Sequence, residues 1–293
     1  DLLNPKVQLK LRDLNVVFVP HRAFSTYVSY DLIENDFRVP LFGSRSLLRT
    51  EERNVERNQY YLLDKAKIRR PKVFRNPEEI DRPVIVKNQN ARRKSERAYF
   101  MAANLDEYKK KTDHMIESGL ANKSTLQNSV TEELIIGTYF NFNYFYSPLE
   151  NSVEFLGIDR RLQTNLHDYV SLPAAQQLEI ELVPQNVEIG HTPATIRESM
   201  LDSVFEIGDK FVEVTKREYP PGIIGPFALQ SVITADLEII IYDVSPRVPG
   251  SPILTTTSPY SKYHFGKSIG TGRRIAMEIR RAAERDLLRN VVT

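Results

Sequence analysis

The chain has 293 residues, 41% of them hydrophobic, which suits one large core or two or three lobes with shared interfaces and excludes a single small domain. Its 40 Lys and Arg oppose 38 Asp and Glu, so a net charge of +2 gives no global field to steer it to nucleic acid or an acidic membrane. Cysteine is absent, which excludes disulfides, a thiolate nucleophile and a Cys-ligated zinc, and a cytoplasmic protein is the simplest expectation.

In chain order, Asp1 opens the sequence without a methionine, and the start of a domain is expected to be missing. Val16 to Val19 is a short apolar run with the pattern of a strand buried on both faces of a parallel sheet, closed by Pro20. His21 to Phe24 would then lie at that strand's carboxyl end, where open α/β sheets place ligands. Residues 31 to 35 and 44 to 66 read as helical, and Pro71 marks the next boundary. Pro83 to Lys87 reads as a buried strand, with Ala98 to Ala102 its hairpin partner across the polar stretch from 88 to 97.

Beyond these, 104 to 119 reads as a helix, 132 to 137 as an edge strand and 138 to 146 as a strand of alternating aromatics. A strand at 153 to 158, a helix at 197 to 217 and strands at 224 to 233 and 237 to 244 follow, and the last segment is helical. There Ile275, Ile279 and Leu287 fall toward one face. Arg273, Arg274, Arg280, Arg281 and Arg285, mixed with Glu278, Glu284 and Asp286, read as a solvated face.

Several segments together resemble the archaeal formate-phosphoribosylaminoimidazolecarboxamide ligase family of the ATP-grasp superfamily. They are Val19-Pro-His21, Pro40-Leu-Phe-Gly43, Pro83-Val-Ile-Val-Lys87, Tyr144-Phe-Tyr-Ser-Pro-Leu149, Leu156-Gly-Ile-Asp159, Ile196-Arg-Glu-Ser199, Pro220-Pro-Gly-Ile-Ile-Gly-Pro-Phe227 and Thr271-Gly-Arg-Arg-Ile-Ala276. The resemblance covers nearly the whole chain. It implies an α/β and α+β ATP-grasp fold with a partial N-terminal Rossmann-like domain. The expected divisions are 1–50 for the remainder of that domain, 51–131 for the small lobe with its linking helix, and 132–293 for the large C-terminal lobe. The implied chemistry is ATP-driven activation of formate followed by attack of a ribotide amine, with ATP and Mg as cofactors. A purine-pathway ribotide and a homo- or hetero-oligomer with paralogues are the implied partners, without membrane or nucleic acid.

The resemblance also implies site residues. Lys87, at a strand end, would point an ammonium at a phosphate; otherwise it is a surface lysine. Glu132 and Glu133 fall at the hinge that accepts hydrogen bonds from adenine and ribose, although neighbours on a strand face opposite ways and at most one enters a cleft. Their alternative role is to guard a sheet edge. Arg197 and Glu198 flank the substrate pocket or form a helix-starting ion pair, and His21, Arg161 and Asn165 are further ribotide candidates. Gln230 and Asp243 match metal positions, and Arg247 a phosphate contact.

Departures cluster on phosphate handling. The loop from Asn88 to Arg97 lacks glycine, Tyr61 aligns with a lost lysine, Lys67 replaces a helix-ending glycine, and Ile253 replaces a metal ligand. These departures rank a noncatalytic paralogue with a degraded ATP/Mg site first and an active carbon–nitrogen ligase second. A nucleic-acid protein using Arg69, Arg70, Lys72, Arg92, Arg93 and Lys94 ranks third.

Overall fold

Two antiparallel sheets organise the computed structural model, which describes residues 1–53, 55–88, 100–127, 129–163, 172–179, 188–250 and 259–293. The first sheet contains β1 (Val73–Phe74), β2 (Val84–Asn88), β3 (Phe100–Ala102) and β4 (Ser129–Glu133), in the order β1-β4-β2-β3. The second contains β5 (Thr138–Ser147), β6 (Ser152–Gln163), β7 (Glu188–Ala194), β8 (Gly225–Ile233) and β9 (Ile239–Ser245), in the order β7-β6-β5-β8-β9.

The described helices are α1 (Pro5–Asp13), α2 (Arg22–Tyr27), α3 (Tyr30–Asn35), α4 (Gln59–Lys65), α5 (Leu105–Glu117), α6 (Lys123–Gln127), α7 (Ala174–Glu179), α8 (Leu201–Glu218), α9 (Pro259–Phe265) and α10 (Thr271–Glu284). None is long and apolar enough to cross a membrane.

In the small sheet, Val84 and Val86 of β2, Phe100 and Ala102 of β3, and Phe74 make a compact core that α5 covers with Tyr108 and Met115. Asn104 starts α5 by accepting the Glu107 N–H at 3.0 Å, while Glu107 reaches back to the Ala103 N–H at 2.7 Å, so two orphan donors are satisfied locally. The acidic strand β4 lies between β1 and β2, pairing with both. It is therefore an interior strand and not the edge expected at 132 to 137.

The large sheet buries aromatics on both faces. Phe142, Tyr144 and Tyr146 of β5 pack with Phe227, Leu229 and the apolar stripe of α8, while Phe145 and Leu156 face Ile275 and Ala282 of α10 together with Phe42. The solvated face expected of α10 is broken by Arg274, which is fully buried because Glu154 of β6 takes its Nε and Nη2 at 2.7 Å each and Glu278 takes Nη1 at 2.8 Å. Leu287 lies beyond that helix and is exposed.

The N-terminal run forms no strand. Val16 to Val19 is half-buried and, among the described residues, makes a single parallel bridge, Phe18 with Leu41, with no strand on its other side to complete a sheet. Between 44 and 66 the helix expected there divides into a 3₁₀ turn (Leu48–Glu51) and α4. Asn58 makes the break, capping α4 by accepting the Tyr60 and Tyr61 N–H groups.

Candidate functional site

Strand register builds the site. Gln230 on β8 stands opposite both Asp243 on β9 and Asn141 on β5, and Asn141 stands opposite Asp159 on β6. Directly opposed residues project to one face, so four polar side chains form a row across the large sheet. One step along, Arg161 of β6 stands opposite His191 of β7. The small sheet contributes Lys87 and Glu132, close diagonal neighbours on β2 and β4.

These groups form one connected network. Lys87 Nζ donates to Glu132 Oε2 at 2.7 Å, and Tyr60 Oη donates to the other oxygen of this fully buried carboxylate. Arg53 donates Nε to Tyr60 Oη at 2.9 Å and Nη2 to Asp243 Oδ1 at 2.9 Å, linking the two sheets. Gln230 Nε2 donates to Asp243 Oδ2 at 2.8 Å, and Gln230 Oε1 accepts from Arg161 Nη2 at 3.0 Å and from Tyr242 at 3.3 Å.

Arg161 continues to Glu188 at 3.1 Å. Glu188 meets His191 Nε2 at 2.9 Å, and Asp159 meets His191 Nδ1 at 2.5 Å while accepting from Asn141 and Asn143. Hydrogen bonds to Asp159 and then to Glu188 raise His191 to about 9, so at neutral pH its ring is charged and donates from both nitrogens. His191 is also the main reason that Glu188 is held at about 2. Burial would depress Arg53, but Tyr60, Asp243 and Glu132 hold it above its ordinary value.

Of the residues singled out in the sequence, Lys87, Glu132, Arg161, Gln230 and Asp243 meet in this network. Glu133 turns to the opposite face, where its carboxylate accepts from Arg82 at 3.0 Å and from the Lys72 N–H at 3.1 Å. Arg247 lies beside Glu51, 2.9 Å from one of its oxygens; burial raises the Glu51 carboxyl and Arg247 opposes that rise. His21 caps α2 through Nδ1 and bridges Val248, next to Arg247. Arg197 and Glu198 are exposed ahead of α8. Asn165, residues 89–97 of the loop that follows Asn88 and Ile253 lie outside the described residues.

Arg53, Tyr60, Glu188 and His191 were missed. A signal for the row existed in Asn141 and Asn143, two amides spaced by two in an aromatic strand, a spacing that demands polar partners on one buried face. Ser44 was also missed; its buried hydroxyl has no partner among the described residues and lines a small cavity with Pro20, Gly43, Pro246 and Arg247.

Two of the expected departures change meaning here. Tyr61, aligned with a lost lysine, donates to Glu218 at 2.6 Å, on the α8 side of α4. Lys67 keeps the left-handed turn expected of glycine, at φ 55°, with the Ile68 N–H returning to Leu63. The described members of the suggested basic patch are engaged: Arg69 with Glu238, Arg70 with Asp64 and Lys72 with Asp81.

Comparison with known proteins completes the assignment. Residues 107–293 match the domain of unknown function DUF1297, and residues 1–74 match the protein of unknown function DUF1246. A 5-formaminoimidazole-4-carboxamide-1-(beta)-D-ribofuranosyl 5'-monophosphate synthetase from Methanopyrus kandleri is 44% identical over 294 residues, covering 100% of this chain and 80% of its own. The synthetase of that name from Methanocaldococcus jannaschii is 41% identical with the same coverage, 100% and 80%.

Among solved structures, the IMP biosynthesis protein PurP from Thermococcus kodakaraensis superposes with a TM-score of 0.71 at 27% identity, covering 95% of this chain and 80% of its own. An ADP complex of purK, an N5-carboxyaminoimidazole ribonucleotide synthetase, shares the fold at a TM-score of 0.60 and 13% identity, with 92% and 65% covered. Identity at this level along the whole chain overturns the reading of a degraded, noncatalytic paralogue. The chain belongs to the archaeal formate-phosphoribosylaminoimidazolecarboxamide ligase family of ATP-grasp carbon–nitrogen ligases.

Proposed function

We propose that this chain is an active ATP-dependent ligase that joins formate to the amine of an aminoimidazole carboxamide ribotide in purine biosynthesis. The observation that carries this reading is the single network that runs from Lys87 and Glu132 on the small sheet, through Arg53, to Asp243 and Gln230 on the large one. A clamp between two lobes needs such opposed, preorganised charge at their junction. The relatives' names, which specify a formylated ribotide monophosphate synthetase, supply the substrate class.

ATP supplies the phosphoryl group that activates formate for attack by the amine. Lys87 and Arg247 contribute positive charge toward phosphates, and Glu132 accepts hydrogen bonds from the nucleoside. Arg161, with His21, Arg197 and Glu198, is assigned to the ribotide, and the role given to Asn165 falls outside the described residues.

Magnesium fits the donor set. Asp243 and Gln230 stand directly opposite each other on adjacent strands, and the Asp243 carboxylate already carries a cation, Arg53. Among the described residues no three His, Asp or Glu side chains form a metal cage, so an ion here would be held by the Asp243 carboxylate and substrate phosphates, with Gln230 as a further ligand only if its amide turns its oxygen from Arg161 toward Asp243. Bound there, it would screen the phosphate charge.

Calorimetric titration with ATP and magnesium, alone and then with the ribotide, tests the proposal when paired with product analysis in the presence of formate. Magnesium-dependent ATP binding and a formylated ribotide are expected. A folded chain that does neither would refute it.

A further inference from the structure

Arg53 is the one cation in the network that touches carboxylates of both sheets. It follows the 3₁₀ turn, its side chain is 17% exposed, and its Nη2 is 2.9 Å from Asp243 Oδ1 while its Nε is 3.4 Å from Glu132 Oε1. Tyr60 pins the near edge of the guanidinium through Nε at 2.9 Å, with its ring 5.9 Å from the guanidinium carbon. The contact to Asp243 runs through Nη2, the far end of the fork.

Charge balance makes that contact exchangeable. Arg53 and Lys87 neutralise Glu132 and Asp243, so this set of side chains has no excess negative charge to attract a further cation. A metal approaching Asp243 would share one carboxylate with a guanidinium and meet its repulsion. A polyphosphate reverses the balance, since phosphate oxygens accept from the guanidinium fork at least as well as a carboxylate does.

Resting on the ligase reading, we propose that Arg53 is an exchangeable counter-ion. It holds Asp243 in the free protein and passes to a phosphate oxygen when nucleotide enters, which releases the Asp243 carboxylate for a divalent cation. Metal binding is thereby conditional on nucleotide binding. Tyr60 and Glu132 keep the inner edge of Arg53 in place during the exchange, so only Nη2 changes partner.

The test measures each ligand without the other. Manganese binding is followed by electron paramagnetic resonance in the absence of nucleotide, and ATP binding by calorimetry in the presence of EDTA, for wild type, Arg53→Gln and Arg53→Lys. Circular dichroism confirms that each variant is folded, and Arg53→Lys, which keeps the charge, stands in if the neutral variant unfolds.

The expected result for Arg53→Gln is manganese binding at least about tenfold tighter than wild type and ATP binding at least about tenfold weaker, the size of one lost charge-assisted contact. Arg53→Lys is expected to fall between them on both measures. Unchanged affinities in the folded variants overturn the inference alone, and so does parallel weakening of both ligands, which would make Arg53 a purely structural tie. A wild-type chain that binds no ATP overturns the ligase reading with it.

Discussion

Arg274 heads the fully buried side chains by volume, and its surroundings define what its removal would do. Glu154 and Glu278 enclose the guanidinium, the Phe145 ring lies 4.1 Å from its carbon, and Ser147 donates to Glu278 at 2.6 Å. Two carboxylates already share one cation there. Arg274→Met should therefore cost about 3–5 kcal/mol, because two buried acids lose their partner. An unfolding free energy from urea titration within about 1 kcal/mol of wild type would show that the acids had simply protonated or reached water.

His191 gives a pH signature at the same scale. Its folded value of about 9 lies above the ordinary 6.5. Its contribution is thus complete below about pH 6.5 and is lost as pH rises through about 9. The melting temperature should fall across that window in wild type and fall less steeply in His191→Gln, which cannot titrate. Identical slopes would mean that His191 holds no proton between Asp159 and Glu188.

At the level of elements, α8 meets the large sheet too closely for a side chain at Gly208. A Cβ there would lie 2.7 Å from Tyr144 Cε1, and Tyr144 is held by its hydroxyl bond to the Val204 carbonyl at 2.8 Å and by stacking on Phe227 at 4.9 Å. Alanine normally stabilises a helix interior by about 1 kcal/mol over glycine; at 208 overpacking should reverse the sign, leaving a net loss of about 1–2 kcal/mol. Gly272→Ala in α10, where an added Cβ would meet no described atom within 4 Å beyond its chain neighbours and its own helix backbone, is the control and should be neutral or mildly stabilising. Equal responses at both sites would remove close packing as the explanation.

The same contrast separates what sequence patterns reveal from what they hide. β2 and β8 are readable because runs of Val, Ile and Phe between turn residues suit a buried strand. β4, Ser-Val-Thr-Glu-Glu, is not, since the burial of Glu132 depends on Lys87, Tyr60 and Arg53, which arrive from other elements. Arg274 misleads for the same reason: helical periodicity assigns an arginine to solvent, and only the distant Glu154 brings it inside. Within the network, Lys87, Glu132, Arg161, Gln230 and Asp243 are residues that the family resemblance singles out, whereas Arg53 and His191 carry no local pattern and are defined by cross-strand register and by a turn that folds back.

Across the whole molecule, the cores are unequal. The large sheet shares its clusters with α4, α8, α10 and the N-terminal segment through Phe42, Val17 and Val19. Thr293 and Val291 also exchange backbone bonds with Leu41 and Gly43. Among the described residues, the small sheet rests on five buried residues of its own. Its ties to the large sheet include the Arg53 bridge from Glu132 to Asp243 and the Ile241 N–H bond to the Arg69 carbonyl at 2.8 Å. Local opening should follow that inequality, because units with few buried apolar contacts exchange their amides at lower free energy.

In hydrogen–deuterium exchange, the amides that pair β2 with β4 should therefore exchange faster than those pairing β5 with β8. Adding ATP and magnesium should slow the first set markedly and the second little, since the nucleotide ties the small sheet to residues the large sheet already holds rigid. Equal protection in the free protein would mean that the junction network alone locks the two sheets into one cooperative unit. Nucleotide-induced slowing confined to β5 and β8 would place the ligand away from Lys87 and Glu132.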